Sequence, residues 1–237
     1  MHARQRLTLF AVFAVTGFSA LTLQVVWQRV ISLHAGVDLF SFTTVVAAFL
    51  AGLGIGSLLG GVLADRLGPR KSLLAFAASN AGIGVFAWFS LWLFYDVYRS
   101  AVPYLDSTLA AFGFHFLLLI VPTTLMGLSL PLVSKGVVDR IDEAGPLVGR
   151  LYAVNTLGAG LGAGVSGWIL IGNLGFVGVV RLAGTLNLVA AVSIAALWRM
   201  AEQRAAAPTA APTQAPAAPA APPGAAAAGG RTWPWFV

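Results

Sequence analysis

The sequence predicts an all-α membrane protein, a bundle of six transmembrane helices. Of its 237 residues, 58% are hydrophobic and 9% are charged, where a soluble domain carries about 25% charged residues. The apolar residues come in blocks of roughly 20 or more, enough to cross about 30 Å of hydrocarbon as helix. Alternating blocks of about 10 residues, the signature of a membrane barrel, do not occur.

The spans are expected at about 7–33, 39–64, 72–98, 108–137, 147–173 and 177–200. The first follows MHARQR, but its apolar run exceeds the roughly 7–15 residues of a signal core. No small-x-small cleavage site follows it, so an uncleaved helix is expected. The second span ends at Gly68, where a left-handed glycine caps a helix and Pro69 discourages continuation. In the fourth, Thr123 and Thr124 are placed to satisfy carbonyls freed by Pro122 and Pro131.

Basic residues set the expected orientation. Arg4, Arg6, Arg66, Arg70, Lys71, Lys135, Arg140, Arg150, Arg199 and Arg204 fall on one side, and Arg29, Arg99 and Arg181 on the other. The side with ten is expected to be cytoplasmic, with both termini there and the protein in the cell (inner) membrane. Arg29 has Asp38 as a candidate partner, or snorkels to the interface. The net charge of +6 is spread over these short loops, whereas a nucleic-acid binder clusters its cations on one face.

Domain organisation follows from composition. Residues 1–204 form the bundle, 205–230 an Ala/Pro tether with too little to bury to offset its ordering entropy, and 231–237 an aromatic tail. An internal repeat is visible: AGLGIGSLLGG (51–61) in the second span and GAGLGAGVSGW (158–168) in the fifth. The two lie three spans apart and cross in opposite directions, the plan of a 3+3 inverted repeat. Gly52, Gly56 and Gly60 form one small-residue stripe, and Gly158, Gly162 and Ser166 another, with Gly160 and Gly164 beside it. Such stripes let helix backbones approach closely.

Polar residues inside spans are either hydrogen-bonding glue or the lining of a solute path. Gln24, Gln28, Asn80, His115, Asn155 and Asn187 are the candidates for the bundle interior. His34 and His115 are isolated, so no metal site is expected, and the lack of cysteine removes thiolate chemistry. No Ser-His-Asp arrangement and no cofactor-binding glycine loop is expected, and so no enzyme activity.

The loop Gly61-Val62-Leu63-Ala64-Asp65-Arg66-Leu67-Gly68-Pro69-Arg70-Lys71 reads either as an ordinary solvated connection or as a motif. Asp65 sits at the negative end of its own helix and calls for a basic partner. The stretch resembles the loop signature of the major facilitator superfamily, from which Pro69 departs by standing where Arg is usual. Gln24–Arg29, Pro122–Gly127 with Pro131, and Leu151–Ala159 are similar to the membrane domain of fused major-facilitator/spermidine-synthase-like proteins. The resemblance covers about residues 10–200 and implies one half of a facilitator-type transporter. The synthase domain of those fusions has no counterpart here.

These readings lead to a non-catalytic membrane module, an anchor, scaffold or accessory subunit of a larger assembly. One alternative is a half-size transporter acting as a dimer on a small, cationic solute. Another is the membrane partner of a separately encoded aminopropyltransferase-like enzyme. The resemblance also implies that the stripes on the second and fifth spans meet another membrane protein or a second copy.

Overall fold

A computed structural model describes residues 3–35, 38–105, 107–138 and 141–206. The side chains of His34, Asp38, Arg140 and Arg204 lie outside the described set, as do the tether beyond Ala206 and the tail. The described residues are helical almost throughout. Helix α1 covers Ala3–Ala35, α2 Asp38–Trp92, and α3 Tyr98–Ala101, with a π-helical turn at Leu93–Val97 joining α2 to α3. Helix α4 covers Thr108–Val137. Helix α5 covers Ile141–Val165 and passes through a second π turn, Ser166–Leu170, into α6, Ile171–Ala206.

Four of these stretches are long and apolar enough to cross a membrane, and two of them run to 66 and 57 residues. At about 1.5 Å per residue, either would be far longer than a bilayer core of about 30 Å if straight. Neither is straight. Gly68 (φ 71, ψ 175) interrupts α2, and Gly175 (φ 64, ψ 174) interrupts α6. These are the only positive-φ residues among those described. The expected left-handed cap at Gly68 is therefore corrected: its ψ is extended, which redirects the chain instead of closing a cap. Pro69 then starts the next limb, where its missing N–H costs nothing. Ser72, fully buried, ties the break by donating to the Gly68 carbonyl at 2.7 Å and the Ala64 carbonyl at 3.4 Å.

The two limbs of α2 run back alongside each other. Trp27 of α1 meets Phe49 from the 38–67 limb and Phe86 from the 69–92 limb, with ring centroids 6.5 and 5.6 Å away. Helix α2 packs mainly on α4, and α5 packs on α1. The glycine stripes make both contacts. A Cβ on Gly52, Gly56 or Gly60 would collide with Thr123, with Thr124 and Gly127, or with Leu128 of α4. A Cβ on Gly158 or Gly162 would overlap the Ala14 or Phe18 carbonyl of α1. Ser166 completes its stripe by donating to Thr22 of α1 at 2.9 Å. The stripes are thus filled from within the chain, and the expectation that they form the seam to a partner is corrected.

Thr123 also differs from expectation. Its hydroxyl bonds the Leu119 carbonyl (2.7 Å) and reaches the Ala48 carbonyl of α2 (3.2 Å). The carbonyl that Pro122 deprives of a donor belongs to Leu118, four residues back. Thr123 therefore serves the α2–α4 contact, and α4 continues through both prolines to Val137.

Apolar side chains collect in two cores at opposite ends of the bundle. One holds Leu23, Trp27, Val30, Val45, Phe94, Leu119 and Val180. The other holds Leu9, Phe13, Phe76, Leu132, Leu151 and Ile194. Between them the packing opens.

Candidate functional site: a polar cavity between two apolar cores

The opening is a cavity of about 300 Å³ to which every long helical limb contributes. Helix α1 supplies Thr16, Gly17 and Gln24; the limbs of α2 supply Phe49, Leu53 and Ser57, then Asn80 and Ile83. Helix α4 adds Met126 and Ser129, α5 Tyr152 and Asn155, and α6 Asn187. Its lining includes Phe49, Ile83 and Met126 of the first core and, from the second, Phe13, which packs edge-on to Phe76. Its open flank lies between α2 and α5, where the lining residues Leu53, Ser57 and Tyr152 are exposed.

The structure brings together four of the six polar candidates: Gln24, Asn80, Asn155 and Asn187. Asn80 and Asn187 are buried. Asn80 donates its amide N–H to the Phe76 carbonyl at 2.8 Å. Asn187 donates to the Ala183 carbonyl at 3.0 Å and to Ser19. Asn155 lies against α1 at Gly17, where a side chain would overlap the Asn155 carbonyl, so this glycine is required by proximity.

Gln28 and His115 are elsewhere. Gln28 bonds Ser32 one turn along α1. His115 is buried among Phe94, Tyr98 and Phe114, its Nδ1 on the Ala111 carbonyl at 2.9 Å. The nearest aromatic centroid is that of Tyr98, 4.6 Å away. Both residues are absorbed into the packing of the Trp27 end. No group of three or more potential metal ligands occurs among the described residues.

Sequence reasoning missed Thr16, Ser57, Ser129 and Tyr152. Thr16 had a signal, since Thr16, Ala20 and Gln24 recur every four residues and share one helix face. The others had none, because hydroxyls in membrane helices usually bond their own backbone.

Apart from the Tyr152 phenol, no lining side chain is ionisable. That limits the chemistry. An isolated buried ion loses several kcal/mol of hydration, whereas a neutral hydrogen bond returns only about 0.5–1.5 kcal/mol net. The cavity suits polar groups without formal charge.

The helix 2–3 loop residues are apart from the cavity. Asp65 has its basic partner, Lys135 of α4, at 2.9 Å, and both groups are well exposed. Such a surface pair contributes about 0–1 kcal/mol, so it marks α2 and α4 ending together more than it stabilises them. Arg66 and Arg70 are solvated, and Gly61 has open space around it. Arg181 of α6 lies over the Trp88 ring at 5.5 Å, a cation–π contact that lets a cation sit on a membrane helix.

A helical membrane protein with a polar cavity between two apolar cores is the class this geometry defines. The family model described as Major Facilitator Superfamily matches residues 8–236, and the chain belongs to that superfamily. No curated protein and no solved structure matches it.

Proposed function

We propose that this chain is the membrane module of a transporter, half of a facilitator-type assembly, with the central cavity as its solute site. The observation that carries the reading is the cavity itself. A module serving only as anchor or scaffold has no use for four amide side chains facing a central opening, since buried polar surface without partners is unfavourable. Membership of the superfamily supports transport over catalysis.

On this reading the two long helices fold back at Gly68 and Gly175, so the chain crosses the membrane six times. A 3+3 inverted repeat relates the halves. Two features support the repeat. Gly68 and Gly175 stand 107 positions apart with almost the same φ and ψ, and Asn80 and Asn187 stand 107 apart with the same bond to the carbonyl four residues back. The packing also exchanges as an inverted repeat requires: the second span on the fourth, the fifth on the first.

The open flank between α2 and α5 calls for closure by a second six-span body, a second copy or another membrane protein. The inner glycines are occupied, so the contact would use the outward ones, Gly54 and Gly61 on α2, Gly160 and Gly164 on α5 and Gly167 in the π turn after it, where nothing lies within 4 Å of a built Cβ. The likeness to the membrane part of the synthase fusions supports a shared membrane plan. The cavity, without a carboxylate, does not favour a polycationic solute.

The chain has no cysteine, so single cysteines at Thr16, Ser57 and Ser129 test the reading directly. An impermeant thiol reagent applied to oriented membrane vesicles should label them from either side, as an alternately opened cavity requires. Labelling from neither side, or from one side alone, would return the chain to an anchor role.

A further inference from the structure

Resting on that reading, we propose that the cavity takes a small uncharged solute with a hydrogen-bond-donating head, a primary amide or neighbouring hydroxyls. The side-chain carbonyls of Asn80 and Asn187 hold that head. The motivating observation is an unpartnered atom. Asn80 is fully buried and lines the cavity, yet its Oδ1 has no hydrogen-bond partner. Folded proteins rarely keep a buried acceptor empty, and each exception asks for a reason.

The rest of the site agrees. Asn80 has committed its amide nitrogen to Phe76, and Asn187 has committed its own to Ala183 and Ser19. Each keeps its side-chain carbonyl as an acceptor, that of Asn80 without any partner, and Asn80 also keeps a second amide N–H. Both belong to the cavity lining, from the 69–92 limb of α2 and from α6. Two acceptors match the two hydrogens of a primary amide or of a diol.

Charge is excluded by the same lining. No carboxylate stands ready for an ammonium, and no Lys or Arg for an anion. The Asp65–Lys135 pair is exposed and outside the lining. Carbonyl dipoles alone do not offset the desolvation of a full charge. The solute's remaining surface meets Phe13, Phe49, Ile83, Met126 and Leu130, so its body is apolar or flat. At about 300 Å³ the cavity lies at the small end of ligand sites, so the solute is small.

The test uses four ring probes that differ in charge or in donors but little in shape, and one acyclic polyol. Nicotinamide is neutral with two donors, N,N-dimethylnicotinamide neutral with none, nicotinate an anion and 1-methylnicotinamide a cation; erythritol supplies neighbouring hydroxyls. Binding to the full chain in nanodiscs is followed by equilibrium dialysis and thermal shift. Nicotinamide or erythritol should bind, and each of the other three should bind at least about tenfold more weakly, the scale of a lost buried hydrogen bond. Asn80→Leu should keep or raise the melting temperature while lowering that binding about tenfold, because it removes an unsatisfied acceptor. If Asn80→Leu does not fold, the comparison among probes on the unaltered chain decides alone. Tighter binding of nicotinate or 1-methylnicotinamide would overturn the uncharged solute and leave the transport reading standing. Equal binding with and without donors, or binding indifferent to Asn80→Leu, would overturn the role of the carbonyls. Binding of none of the five would overturn this proposal together with the solute cavity on which it rests.

Discussion

Gly54 and Gly56 are two residues apart on α2 and face opposite surroundings. A Cβ on Gly56 would overlap the Thr124 carbonyl and crowd the Gly127 backbone, while one on Gly54 would meet nothing within 4 Å. Gly56→Ala should therefore destabilise the purified bundle by about 1–3 kcal/mol through overpacking. Gly54→Ala should leave it unchanged or raise its stability by about 0.5–1 kcal/mol, the usual helical gain. The Gly162 and Gly160 pair on α5 should repeat the pattern. Unfolding in mild detergent measures all four, and equal losses within a pair would mean the helix faces are misassigned. This distinction was not legible in the sequence. Spacing identified small-residue stripes, but protein interior and lipid are equally apolar, so spacing alone does not tell an inward stripe from an outward one. The same limit separated Asn80 from His115: both are single polar residues on apolar helices, and only the packing places one in the cavity and the other among rings.

At the scale of elements, the sequence was most informative where chemistry punctuates it. The span at 108–137 coincides with α4, whose Ser107 caps the first turn by accepting from Ala110 N–H. The break at Gly68 was readable from Gly-Pro, although its ψ was not. Gly175, its counterpart, is flanked by Leu174 and Phe176 with no proline, and the expected connection there fell at 173–177 without the glycine being singled out. The π turns at Leu93–Val97 and Ser166–Leu170 had no proline or cap to announce them, each being a local widening within a continuing helix. Because positive φ with extended ψ is a conformation that side chains strain, Gly68→Ala and Gly175→Ala should each cost about 1–3 kcal/mol. Ser72→Ala should cost less, about 0.5–1.5 kcal/mol for its backbone bonds. Thermal unfolding of the three variants checks the ranking. A Gly175→Ala chain as stable as the parent would place that turn elsewhere.

For the molecule as a whole, hydropathy and composition made a helical membrane protein legible, and the cavity was legible only as a set of amides without a place. Its volume depends on where two apolar cores stop, which no single segment encodes. With both termini cytoplasmic, a cysteine at Arg204 should escape an impermeant reagent on intact cells while one at Ser100 is labelled; equal labelling, or labelling only at 204, would reverse or refute that orientation. The break at Gly68 has a further consequence, for biogenesis. Arg66, Arg70 and Lys71 cluster at the turn and are exposed there, and carrying each such residue through a bilayer centre is opposed by about 2.5–3.5 kcal/mol. The 38–67 and 69–92 limbs are therefore expected to enter the membrane as one hairpin with the turn left behind, apolar flank against apolar flank. Ser72, reaching back across the break to the Ala64 and Gly68 carbonyls, would let that hairpin leave the ribosome with its bend preformed.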